Sequence, residues 1–285
     1  MPVSITDIIR CLDEIAPFSM AESWDNVGLL VGNRNRIVDT IIVGLDPTNA
    51  LLEEAIQQGA DTVVTHHPAI FKPIPSINTA DPAGKFLEKA LSNQINILAC
   101  HTNFDSAARG VNDALARLLG LQEIFPLVPS ATHQLENAGM GRKGLYPSGL
   151  SRKEFIATLL EILELPSVQI AGRLPETIYA VALCGGSGSD FAEAAQQSGA
   201  DVFISAEIKH NVARWAEESH FCVIDGTHYA TEKPAVRVLA ERLREYAQQQ
   251  NWNLTIYETK TESHPFALVD KHSYTNQSNE TGEVS

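Results

Sequence analysis

Short apolar runs alternate along this chain with amphipathic stretches of helical period. TIIVGLD (40–46), GADTVVTHH (59–67) and INILACHTNFD (95–105) each hold four or more apolar or β-branched residues before turning polar, as do TIYAVALCGGSGSD (177–190), GADVFISAEIKH (199–210) and FCVIDGTHYATE (221–232). Such runs predict short buried strands. Between or after them, PTNALLEEAIQQ, GVNDALARLL, FAEAAQQS and AVRVLAERLREYA read as helices. A βα alternation of this kind implies an α/β fold with mainly parallel sheets.

The order also repeats. AIQQGAD at 55–61 matches AAQQSGAD at 194–201 with a one-residue gap, and a β-rich run that ends in polar residues follows each. The next units correspond in outline, INILACHTNFD with its helix against FCVIDGTHYATE with its helix. Two similar α/β lobes are therefore expected, with residues 1–126 forming the first and 151–260 the second, its last helix packing back on the first. The cleft between such lobes is a natural ligand site. Residues 127–150 are rich in Pro, Gly and Ser without clear periodicity, which predicts a crossover segment. Ser151 and Glu154 form a capping box before EFIATLLEILEL, a helix. From 261 to 285 the pattern fades into a polar tail expected to be disordered.

The constellation with most chemical content lies where the strands end. His66 and His67 follow DTVV, Asp105 closes HTNFD, and His228 and Glu232 belong to GTHYATE. Ligand chemistry in α/β proteins gathers at the carboxyl ends of parallel strands, so residues far apart in sequence can meet there. Adjacent side chains within a strand face opposite ways. At a strand end the chain turns, and Pro68 prevents continuation of the ladder, so both rings of the pair can face one cleft. His228 and Glu232 are four apart, before a helix expected to begin near Ala230, a spacing that can put them on one helical face. Asp105 could alternatively serve as an N-cap. Three imidazoles and two carboxylates suffice for two transition metals if one carboxylate bridges. Such donors suit Zn, Fe, Mn, Co or Ni rather than Ca or Mg.

Charge narrows the partners. The net charge of −14 and the absence of any basic stripe argue against nucleic acid. No run approaches the ~18 apolar residues of a membrane span, and the first residues lack the features of a secretory signal, so a cytoplasmic location is expected. The four cysteines (Cys11, Cys100, Cys184, Cys222) form no CxxC pair and read as reduced core thiols.

ESWDNVGLLVG (22–32), VVTHHPAIF (63–71), ACHTNFD (99–105), GMGRKG (139–144), CGGSGSD (184–190), ISAEIKH (204–210) and GTHYATE (226–232) together closely resemble the GTP cyclohydrolase I type 2 homologues, the NIF-three-like family. The resemblance spans about 22 to 235 in the right order. It implies a dinuclear metal site between two α/β lobes and a ring-shaped homohexamer. Carried over by position, His67 and Asp105 would bind one metal and His66 and His228 the other, with Glu232 bridging. This sequence departs from the family where Ala206 stands in place of a frequent Gly, and 127–176 is too short for the large inserted domain of some relatives.

Further candidates flank these ligands. His101 is expected to act as a proton shuttle or to support a ligand, or else to be a core histidine. Glu207, Lys209 and His210 follow the second-lobe strand where the first lobe has its histidine pair, so Glu207 and His210 are general acid or base candidates. GGSGSD could cradle an anion, Arg142 and Lys143 could meet a phosphate or lie on a solvated turn, and Trp24 could stack on a base or enter the core. The expected function is metal-dependent hydrolysis of a nucleotide or small heterocycle by metal-activated water. The alternatives are a metal-binding or metal-delivery protein without turnover and a regulatory scaffold.

Overall fold

A computed structural model describes residues 2–130 and 137–269. The first half of the chain contains β1 (Val3–Ser4), α1 (Ile5–Ile15), β2 (Gly28–Val31), β3 (Ile37–Val38), β4 (Thr40–Gly44), α2 (Asn49–Gln57), β5 (Thr62–Thr65), α3 (Pro82–Ser92), β6 (Asn96–Ala99), α4 (Thr102–Ser106) and α5 (Val111–Leu118). The second half contains β7 (Gln122–Pro129), β8 (Gly139–Ser151), α6 (Arg152–Leu163), β9 (Gln169–Ala171), β10 (Thr177–Leu183), α7 (Ala192–Gln197), β11 (Val202–Ser205), α8 (His210–Glu218), β12 (Cys222–Asp225), α9 (His228–Glu232), α10 (Pro234–Gln249) and β13 (Thr255–Glu258).

Two sheets carry the lobes. The first runs β13-β4-β5-β6-β2, with β13, β4, β5 and β6 parallel and β2 antiparallel at the edge. The second runs β7-β8-β10-β11-β12-β9, with a parallel centre of β10, β11 and β12 and antiparallel strands on both sides. Thus β4-β5-β6-β2 and β10-β11-β12-β9 follow one plan.

The repeated GAD turn explains why both lobes set their central strand alike. Asp61 Oδ2 accepts the amides of Asp39 and Thr40 at 2.7 and 3.1 Å, and Asp201 Oδ2 accepts those of Tyr179 and Ala180 at 2.7 and 2.8 Å. Gly59 and Gly199 both adopt positive φ, 66° and 78°, to leave the preceding helix. One short carboxylate therefore ties the start of each neighbouring strand to the central one.

Three expected boundaries are corrected. Residues 127–150 are no loose crossover: β7 and β8 form a long antiparallel hairpin that extends the second sheet. Its register is broken by shifts, and Pro126 and Pro129 lie on the edge strand β7, where a missing amide costs no ladder bond. Those interruptions hide a strand period of two. The lobes also exchange elements. Leu115 of α5 and Leu119 at its C-cap pack with Phe155, Leu159 and Ile204 in the second-lobe core, so the first lobe does not extend to 126. Leu239 and Leu243 of α10 pack with Ile8, Leu12 and Val64 of the first, and β13 pairs with β4. Finally, part of the expected tail is held in place: Glu262 Oε1 accepts the amides of Leu45 and Asp46 at 2.5 and 2.9 Å. Residues 270–285 lie outside the described residues.

Arg142 pins the exchange. Expected on a solvated turn or at a phosphate, it is 1% exposed. Its guanidinium donates to Asp113 of α5 at 2.7 Å and to the carbonyls of Gly139, Gly141 and Ala107 at 2.7, 2.7 and 2.9 Å. A fork of five N–H donors can be buried only when its surroundings accept them. Lys143 reaches the carbonyl of Ser198.

Candidate metal centre

Parallel pairing of β5 with β6 brings Thr65 beside Ala99, so His66 emerges next to Cys100. The His66 and His67 amides still bond the carbonyls of Gly44 and Leu45, at 3.1 and 2.9 Å, which holds the pair rigid past the end of the strand. In the second lobe, β12 leads into α9, which starts at His228 rather than near Ala230. His228 and Glu232 are then one helical turn apart on the same face. Asp105 is no N-cap. It lies inside α4, buried and directed into the cleft.

Across the cleft the donors converge. Glu232 Oε2 is 3.0 Å from Nε2 of both His67 and His228, and these two nitrogens are 3.3 Å apart. His66 Nε2 lies 3.7 Å from Asp105 Oδ1 and 3.8 Å from Glu232 Oε1. Three overlapping groups, His66 with Asp105 and Glu232, His67 with His228 and Glu232, and His66 with His67 and His101, each present ligand atoms within 4.8 Å of one another and can hold a metal ion. The atoms group differently from the pairing implied by the resemblance, which set His67 with Asp105 and His66 with His228. His66 groups with Asp105 because both stand on adjacent first-lobe strand ends, whereas His67 points across to His228 of the other lobe.

Each imidazole has its second nitrogen engaged. His66 Nδ1 meets the Cys100 carbonyl at 2.9 Å, His67 Nδ1 meets Asp46 Oδ1 at 2.7 Å, His101 Nδ1 meets Asp25 Oδ1 at 2.8 Å, and His228 Nδ1 meets Glu207 Oε1 at 3.0 Å. A donor bond at Nδ1 selects the tautomer whose Nε2 lone pair faces the centre, the usual arrangement behind metal-binding histidines. The donor set passes a further test. His66 Nε2, Asp105 Oδ1 and Glu232 Oε2 are buried without any aligned hydrogen bond. An unsatisfied buried polar atom costs roughly 1–3 kcal/mol, and a cation among these three would offset that cost.

Electrostatics agree. Burial pushes the Asp105 carboxyl up to about 7, with the nearby His66 ring opposing and the Glu232 carboxylate adding to the shift. Burial also acts on Glu232, but the His228, His66 and His67 rings that face it hold its carboxyl well below the usual range. Desolvation lowers His67 and His228, yet the Asp46 and Glu232 carboxylates beside the first bring it up to about 10, and Glu232 and Glu207 beside the second bring it up to about 9.

Other candidates fare unequally. His101 belongs to the cluster, whereas Glu207 orients His228 from outside it. His210 opens α8 and lines a separate depression with Gln169 and Arg214; it joins none of the metal-capable groups among the described residues. Three of the GGSGSD amides are taken by protein side chains: Gly185 bonds Asn112 Oδ1, Gly186 bonds Thr231 Oγ1, and Gly188 bonds Ser205 Oγ. Gly186 has a different purpose, since at φ 64° a Cβ would collide with Glu232 Oε1. Trp24 is 57% exposed and meets the edges of Phe71 and His101, so core burial is excluded. The four cysteines are buried and free, and burial pushes each thiol up, Cys100 to about 12. Asp25 and Asp46 are site residues that the sequence did not single out; the one available signal was that Asp46 also follows an apolar run.

Fold and site together define a two-lobed α/β protein with a buried histidine–carboxylate centre between its lobes. The family model described as Duf34/NIF3 (NGG1p interacting factor 3) matches residues 3–265, and the chain belongs to this family. It is similar to the GTP cyclohydrolase 1 type 2 homolog of Clostridium acetobutylicum, 32% identical over 266 residues, or 93% of this chain and 99% of that one. The homolog of Streptomyces coelicolor is 31% identical over 265 residues, 92% of this chain and 93% of that one. Among solved structures, a Staphylococcus aureus hypothetical protein superposes with a TM-score of 0.89 at 30% identity, covering 94% of this chain and 100% of that one. Reduced HcgD from Methanocaldococcus jannaschii superposes with a TM-score of 0.76 at 28% identity, covering 91% and 99%. No helix among the described residues is long and apolar enough to cross a membrane.

Proposed function

We propose that the centre holds two divalent transition-metal ions and that the protein is a metal-dependent hydrolase of a nucleotide or small heterocycle. The observation that carries this reading is the set of buried atoms without hydrogen bonds, His66 Nε2, Asp105 Oδ1 and Glu232 Oε2, among imidazoles already oriented through Nδ1. His66 and Asp105 would hold one ion, His67 and His228 the other, and Glu232 both. When bound, such ions act as Lewis acids and make water nucleophilic near neutral pH. The chain's own groups then orient substrate and move protons. His101, anchored by Asp25, presents Nε2 beside His66 and His67 and is the nearest imidazole for proton transfer. The name shared by the curated relatives points to a GTP-like substrate, and that transfer rests on family analogy alone.

A second reading, metal storage or delivery without turnover, is favoured by one observation: all four cysteines are buried and His210 stands apart from the cluster, so His101 is the single unassigned proton carrier there. A metal-defined activity screen separates the two. Protein loaded with Zn, Mn, Fe, Co or Ni is assayed against purine and pteridine substrates and against an apo-acceptor for metal. Turnover supports the hydrolase; inertness with metal transfer supports delivery. We propose also that the chain assembles as a homohexamer, for which exposed Phe71, Ile74 and Ile77 on one connecting segment supply apolar surface. Light scattering that reports a mass below six chains rejects it.

A further inference from the structure

A recess of about 660 Å³ opens beside His228 and Glu207, on the second-lobe side of the centre. Pockets of roughly 300–1,000 Å³ hold ligands of nucleoside size. One side of this recess is built from Leu163, Leu165 and Pro166. The other is aromatic: the Tyr229 and His264 rings are 5.6 Å apart, and His264 and Phe266 are 6.1 Å apart. That wall is supplied by the C-terminal strap. Glu262 fastens it to the first-lobe turn at Leu45 and Asp46, and His264 Nε2 sits 3.1 Å from Thr227 Oγ1, next to His228. The chamber thus adjoins the metal-capable cluster through His228, which belongs to both.

Its charge is one-sided. Glu164, Glu207, Asp225 and Glu262 all line it. Lys233 is the one Lys or Arg among its described lining residues, and its Nζ is already 2.7 Å from Glu164 Oε2. Apolar and aromatic walls favour a flat ring. Asp225 gives both oxygens to the Ile208 and Thr227 amides. Glu164, Glu207 and Glu262 each meet their protein donors through one oxygen, so the other can accept a ligand N–H. Together the carboxylates repel a phosphate, whose usual partners are Arg, Lys or free backbone amides.

We propose that this chamber seats a planar nitrogen heterocycle, uncharged or cationic and rich in N–H donors, and disfavours its phosphorylated form. The proposal rests on the hydrolase reading in that the seated ring would be the substrate, and it names the substrate class as a base, nucleoside or pterin rather than a nucleotide.

The test is calorimetric titration of the metal-loaded full-length protein with guanosine, pterin and guanosine 5′-monophosphate, with turnover measured separately. Guanosine or pterin should bind, and the monophosphate should bind at least about tenfold more weakly than guanosine. Phe266→Ala should weaken guanosine about fivefold, the order of one aromatic contact, with metal content unchanged. Glu164→Gln, which releases Lys233, should narrow the gap between nucleoside and monophosphate. The chamber reading is overturned if no uncharged heterocycle binds at millimolar concentration, if the monophosphate binds as tightly as guanosine, or if Phe266→Ala leaves guanosine binding unaltered. Binding as expected without turnover upholds the chamber and rejects the hydrolase. Turnover of a substrate that ignores these substitutions does the reverse.

Discussion

Strands β5 and β11 occupy matching places in the two lobes, follow the same helix-GAD turn, and end in different chemistry. β5 runs into His66 and His67, both turned toward the centre. β11 runs into Ala206, which is fully buried, and Glu207, whose carboxylate holds His228 Nδ1. The third strands behave otherwise. β6 and β12 each lead into a five-residue helix, and each helix carries one buried carboxylate to the centre, Asp105 from α4 and Glu232 from α9. Ligand chemistry is therefore shared at one pair of strand ends and one-sided at the other. The common turn geometry, set by Asp61 and Asp201, delivers strand ends to equivalent points whatever residue follows. Which lobe binds and which orients depends on the residues placed there.

The sharpest way to break this comparison is at Glu232, the one carboxylate near both groups of donors. Glu232→Ala should bring metal from about two ions per chain to nearly none, and His66→Ala should leave one, as read by elemental analysis after dialysis. Retention of two ions by Glu232→Ala would end the dinuclear reading. Next in size, Asp105→Asn should empty the first-lobe position, whereas Glu207→Ala, which removes only an orienting bond, should weaken metal binding by about 10–100-fold. Equal losses in competition titrations would mean that Glu207 is itself a ligand.

Proton competition sharpens the picture. His67 and His228, raised to about 10 and about 9 despite desolvation, must surrender protons when metal enters. Loading at pH 7 should release about two protons per chain, seen as buffer-dependent heats, and apparent affinity should climb with pH toward 9. In the metal-free chain the sign reverses. A raised histidine stabilises the fold fully below its unfolded pKa of ~6.5 and loses that contribution as pH passes through its folded value. The metal-free melting temperature should therefore fall between neutral pH and 10.

Smaller effects follow. Gly186→Ala forces a left-handed backbone on a residue with a Cβ and pushes it against Glu232, so it should lower stability by ~1–2 kcal/mol and weaken metal binding. His210→Ala should change stability by no more than ~0.5 kcal/mol and leave metal content unaltered, because α8 holds it away from the cluster. A large loss of activity in His210→Ala would show that a second chain or a substrate brings it into play.

Much of the centre was legible because its donors sit at the ends of apolar runs, and strand ends converge in α/β folds. His66, His67, Asp105, His228 and Glu232 are all visible in that way, and the GAD repeat is visible in the residues that make its turns. The hairpin of β7 and β8 was hidden by glycines and register shifts that erase alternation. Asp25 and Asp46 were hidden because a histidine's orienting partner is chosen by distance in space: His101 and Asp25 are 76 positions apart and meet at 2.8 Å.

Sequence by itself determined the repeated α/β units, the strand ends and the five residues that gather there, since hydrophobic period and turn chemistry are local properties. Tertiary structure alone decided which donors stand together. His66 joins Asp105 because β5 and β6 are hydrogen-bonded neighbours, and His67 meets His228 because the lobes close face to face. It also decided that α5 packs in the second-lobe core, and that the strap from Glu262 to Leu268 walls a chamber beside the centre. Those outcomes depend on how apolar faces of distant elements fit one another, a relation that no single stretch of chain contains.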